Sequence, residues 1–131
     1  MESRTINSYQ EFILMLENNS PYLRWIKASY SVWIDILTKY SEYKNEVSLN
    51  KNLPDQILKL LAEDDDWQIR STIAMKRKLP YEVFFKLAFD KNESVRMSIA
   101  LNRKTPFEVL NQMKNDSWKD IVSIIEKRTN T

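Results

Sequence analysis

The chain has 131 residues, with 20 basic and 18 acidic side chains for a formal net charge of +2, and it contains no Gly, Cys or His. With Cys and His both missing there is no disulfide, no thiolate metal site and none of the usual zinc or haem ligand sets, and nucleophile–His catalysis lacks its base. Without Gly there is no P-loop, dinucleotide fingerprint or nucleophile elbow, so a single domain that is not a conventional enzyme and holds no cofactor or metal is expected.

The start, MESRTINSYQ, is polar and lacks an apolar signal core, and no run approaches membrane-spanning length. A cytoplasmic protein away from membranes is the expectation. Residues 5–18, TINSYQEFILMLEN, read as a helix. SPYLRWIKASYSVWIDILTKY reads as helical from Ser20 as N-cap and Pro21 as first helical residue, with a break near Ala28–Ser31. Aromatic residues crowd this third of the chain: Tyr9, Phe12, Tyr22, Trp25, Tyr30, Trp33, Tyr40 and Tyr43. Most are expected in the core of an irregular cap, and a minority on a recognition surface.

Beyond it the chain repeats itself. LPDQILKLLAEDDDWQIRSTIAMKRK (53–78), LPYEVFFKLAFDKNESVRMSIALNRK (79–104) and TPFEVLNQMKNDSWKDIVSIIEKR (105–128) align without gaps. Pro54, Pro80 and Pro106 fall 26 apart, as do Asp64, Asp90 and Asp116, and Ile73, Ile99 and Ile125. Each Pro suits a first helical turn. An amphipathic helix follows, with Val83, Phe84, Leu87 and Ala88 on one stripe in the middle copy. The Asp marks a break, and a second helix carries Val95, Ile99 and Ala100. Helices this short are marginal alone and need neighbours to pack against. With no Gly, turns that need left-handed φ are expected to use Asn92, Asn102 and Asn115.

The expected fold is therefore all-α: a short right-handed α-solenoid of two-helix repeats with a period of 26 and an irregular helical N-terminal cap. The cap covers 5–29, a degenerate repeat 30–52, full repeats 53–78 and 79–104, and a terminal repeat 105–131. Arg70 and Arg96 follow Asp64 and Asp90 by six positions. They read as structural ion pairs tying the helices of one repeat, or adjacent repeats, together; ligand-binding arginines are the other reading.

The pattern LP-x-x-V-x-x-x-L-A-x-D-x-x-x-x-V-R-x-x-I-A-x-N at Leu79–Asn102 resembles the leucine-rich repeat variant and short HEAT-like α-helical repeats of bacterial type. The resemblance covers roughly residues 30–128. It implies an α-solenoid and protein–protein recognition, as in adaptors and in immunity proteins that neutralise toxins; some related solenoids bind DNA instead. NRKTP and KRKLP stand where family copies often have NP or NPNTP, which adds charge at one edge of the stack.

Two surface features follow. Lys51, Arg77, Lys78, Arg103 and Lys104 would align as a basic ridge that meets an acidic protein face, tracks a phosphate backbone, or is merely solvated. Phe85 and Phe89 share a helix face, and their counterparts are polar: Lys59 and Glu63 before, Asn111 and Asn115 after. They would be hydrophobic anchors for a partner, or be covered by the N-terminal helices. Trp118 is expected to pack with Ile121, Val122 and Ile125 on the last helix. The reading that follows is a non-catalytic protein-binding module, an immunity or adaptor protein that covers its partner sterically. The alternative is a nucleic-acid-binding solenoid that uses the ridge.

Overall fold

The computed structural model describes residues 4–130, and among them all regular secondary structure is helical. In chain order the α-helices are α1 (Tyr9–Glu17), α2 (Tyr30–Lys39), α3 (Lys44–Ser48), α4 (Asp55–Leu61), α5 (Trp67–Ala74), α6 (Tyr81–Ala88), α7 (Glu93–Leu101), α8 (Phe107–Gln112) and α9 (Lys119–Thr129). No helix is long and apolar enough to cross a membrane among the described residues. The chain forms two compact units, one up to Leu60 and one from Leu61 onward.

In the first unit, α1 starts on a reciprocal cap: the Glu11 N–H donates to Ser8 Oγ and the Asn7 N–H to Glu11 Oε1. α1 packs on α2, and the buried Phe12 and Trp33 rings meet edge to face with centroids 6.1 Å apart. Tyr9, Tyr40 and Tyr43 form a second aromatic group. Tyr22 and Tyr30 are exposed instead.

The helix expected from Pro21 does not form. Residues 23–25 make one 3₁₀ turn, and Ile26 is extended. The cause is tertiary. Lys27 pairs with the stretch before α1: its N–H donates to the Arg4 carbonyl and its carbonyl accepts the Ile6 N–H. The buried Asn50 amide then donates to the carbonyls of Leu23 and Ile26, at 3.1 and 3.0 Å. These carbonyls are satisfied by a side chain more than twenty residues away rather than by the next helical turn.

In the second unit, α7 packs against α5, α6 and α9, while α6 packs against α8. The buried stripe of α6 is Val83, Phe84, Leu87 and Ala88, and it is joined by Val95, Ile99 and Ala100 of α7. Pro80 and Pro106 sit one residue ahead of α6 and α8, with φ of −55° and −60°, and their carbonyls accept the first helical N–H groups. Asp66 caps α5 by accepting the Gln68 N–H, and Asn92 caps α7 by accepting the Ser94 N–H at 2.7 Å.

The turn asparagines do not take left-handed φ. Asn92 and Asn102 lie at −95° and −67°, and Asn19 (φ 51°) is the one residue with positive φ among those described. Their side chains make the turn instead. Asn92 is the N-cap just noted. Asn102 is buried, accepts the Lys104 N–H, and donates to the carbonyls of Ala74 and Lys76 at 2.8 and 2.7 Å. At position 128, 26 residues after Asn102, Arg128 donates to the carbonyls of Ala100 and Asn102, at 2.6 and 2.9 Å. A guanidinium there fills the role of the amide. Trp118 also departs from expectation: it is the N-cap residue of α9, exposed, with its indole N–H facing Asp120.

Candidate partner-binding surfaces

The arginine–aspartate residues are committed to structure. Arg70 is 5% exposed. Its Nε and Nη2 donate to the two carboxylate oxygens of Asp90 at 2.8 and 3.0 Å, and its Nη1 donates to the carbonyls of Asp64 and Asp65. Arg96, 26 residues after Arg70, makes a similar arrangement, holding Asp116 through Nε and Nη2 and the Asp90 carbonyl through Nη1. Each guanidinium thus reaches back to a backbone carbonyl of the turn before its helix and forward to the next aspartate. Asp64, Asp90 and Asp116 also each accept the backbone N–H two residues on, which fixes the turn. With donors in a planar fork and both carboxylate oxygens taken, little capacity is left for a ligand.

Burial pushes the Asp90 carboxyl up, but the hydrogen bonds from Arg70 and the Asn92 N–H, with the charges of Arg70 and Lys91, outweigh it and hold the group below its ordinary value of 3.8. A depressed carboxylate contributes stability that is present above the unfolded-state value and is lost as pH falls through the folded one. Thermal unfolding followed from pH 7 downward should therefore steepen in its pH dependence below about pH 4. Asp90→Asn should lower stability at neutral pH and flatten that acid limb; an unchanged limb would mean that other carboxylates set it.

Phe85 and Phe89 are placed where a partner could reach them. They are 39% and 51% exposed, with ring centroids 5.4 Å apart. Tyr81, one helical turn earlier, is 51% exposed and completes a stripe at positions 81, 85 and 89. Phe107, the counterpart of Tyr81 at the start of the adjacent α8, is exposed too. Lys86 on α6 is ion-paired with Glu63, both largely exposed, and this pairing holds the Glu63 carboxyl below its ordinary value. The aromatic stripe thus has a polar neighbour in sequence, since Lys86 directly follows Phe85.

The basic residues divide. Arg77, Arg103 and Lys104 line one groove of about 450 Å³, together with the exposed Met75 and Leu101. Lys78 is exposed but is not part of that lining. Lys51 belongs to the first unit, where its ammonium lies 5.4 Å from the centre of the Trp25 ring. No cluster of acidic side chains suited to a metal ion occurs among the described residues.

Tyr81, Met75, Leu101 and Arg128 went unnoticed in the sequence. The i, i+4 spacing of Tyr81 from Phe85 was a usable signal. So was the 26-residue offset between Met75 and Leu101, each two residues before a basic residue. Nothing in the sequence marked Arg128 as the counterpart of Asn102 in chemistry as well as in position. No protein-family model, curated protein or solved structure matches the chain.

Proposed function

We propose that this chain is a non-catalytic protein-binding module: a short right-handed α-solenoid with a 26-residue period, of the leucine-rich-repeat-variant or short HEAT-like kind. It recognises another protein through the aromatic stripe of α6 and covers it sterically, as an immunity or adaptor protein does. The repeated hydrogen bonding supports the repeat reading. Arg70 to Asp90 and Arg96 to Asp116 both span 20 residues, and Asn102 and Arg128 reach carbonyls at the same offsets of 28 and 26.

The observation that carries the binding reading is the exposure of Phe85 and Phe89 at positions that are polar in the neighbouring repeats. An apolar residue required by the repeat would recur in every copy. One that appears once, on the surface, and beside an aromatic neighbour has the makings of an interface anchor. The binding reading is tested by affinity capture from native lysate after nuclease treatment. A stoichiometric protein retained by the wild type and lost with Phe85→Asp/Phe89→Asp is expected. Capture that nuclease abolishes, and that the double variant does not affect, would favour nucleic acid and overturn the reading.

A further inference from the structure

The groove lined by Met75, Arg77, Leu101, Arg103 and Lys104 has a chemistry of its own. Met75 is the C-cap of α5 and Leu101 the last residue of α7, and the two are 67% and 57% exposed. Beside them stand three cations, with no acidic residue in the lining. Among the described residues none of the three enters an ion pair. Elsewhere in this unit the exposed Lys86, the buried Arg70 and the half-buried Arg96 all hold carboxylates.

A purely anionic ligand would leave the two apolar side chains uncovered. A single strand of nucleic acid would want an aromatic platform for its bases, and the lining contains none. The match in charge and polarity is a peptide segment that carries both carboxylates and apolar side chains. Spacing narrows it further. α5 and α7 are packed neighbours, and the axes of packed helices lie about 8–10 Å apart. A peptide in polyproline II conformation returns to the same side every third residue, a rise of about 9 Å.

We propose that this groove docks an acidic, extended segment of a partner protein, with two apolar side chains three residues apart resting on Met75 and Leu101 and its carboxylates meeting Arg77, Arg103 and Lys104. The proposal rests on the protein-binding reading above but uses residues outside α6, so the two can fail separately.

Fluorescence anisotropy at low salt tests it with four labelled probes. They are a twelve-residue Glu/Asp peptide with two Leu residues three apart, the same peptide with Leu two apart, the same with both Leu changed to Ser, and a single-stranded oligothymidylate. The first peptide should bind at least about tenfold more tightly than the Ser version, because the apolar contacts are lost in the latter. It should also bind more tightly than the version with Leu two apart. Arg103→Glu/Lys104→Glu, both exposed and so compatible with the fold, should weaken it by about tenfold or more. Phe85→Asp/Phe89→Asp should leave it unchanged. Equal binding of the Leu and Ser peptides, tighter binding of the oligothymidylate, or no peptide binding would overturn the groove assignment. In each of those cases a lysate partner still lost with the Phe variant leaves the α6 reading standing.

Discussion

Arg70→Ala is expected to destabilise the protein by about 3–5 kcal/mol, the range for breaking a buried ion pair by removing one partner. The loss is large because more than the pair is broken. Asp90 would keep a nearly buried charge without its bidentate donor, and the carbonyls of Asp64 and Asp65 would lose theirs. Thermal unfolding should shift down by on the order of 10 °C or more. Arg70→Lys should fall between, since an ammonium restores the charge but not the planar fork. Arg96→Ala should cost less: its side chain is 15% exposed against 7% for Arg70, and it serves one backbone carbonyl rather than two. Arg70→Met with Asp90→Leu should recover only part of the loss: no charge is left to desolvate, but the Asp64 and Asp65 carbonyls and the Asn92 N–H still lack their partners. Equal losses for Arg70→Ala and Arg96→Ala would show that burial does not set the cost.

Phe85→Asp/Phe89→Asp is expected to do the opposite: abolish recognition and spare the fold. Anchor residues at an interface each contribute about 2–4 kcal/mol, so losing both should reduce affinity by a factor of roughly a thousand or more. The folded protein should hardly notice, because neither ring belongs to the stripe of α6 that faces α7. Phe84→Asp is the contrast. That side chain is 4% exposed, and a carboxylate there has no partner, so the variant should not fold stably. Circular dichroism melting of the two variants against the wild type checks the distinction. Clear destabilisation by the Phe85/Phe89 pair would mean that those rings are covered by the protein itself.

How much of this could be read in the sequence depends on the range of the forces involved. The helices of residues 53–128 were legible because their prolines, aspartates and apolar positions recur, and three copies of a weak signal agree. The Arg and Asp identities were equally plain. Their connectivity was not, because a guanidinium with five donors can serve a carbonyl six residues back and a carboxylate 20 residues on at once. The segment after Ser20 misled because its local pattern is helical, whereas its carbonyls are claimed by Asn50 and its chain by the stretch before α1. Propensity is decided locally, and that contest was not. The turn asparagines misled for a related reason. Their amides make the hydrogen bonds that a left-handed backbone would otherwise provide, so the backbone stays in ordinary φ. Of the surface features, Phe85 and Phe89 stood out by breaking the repeat. Met75 and Leu101 follow the repeat, and nothing in their local pattern distinguishes an exposed apolar residue at a helix end from a core one.

The most direct test of recognition through α6 is a photo-crosslinking comparison. A benzoylphenylalanine replaces Phe89 in one protein and Asn115, its counterpart one period later, in another. Irradiated in native lysate, the Phe89 probe should join one discrete protein species, and the Asn115 probe should give none or far less of it. The same scattered products from both positions, or a product that nuclease removes, would contradict an aromatic protein-docking face on this helix.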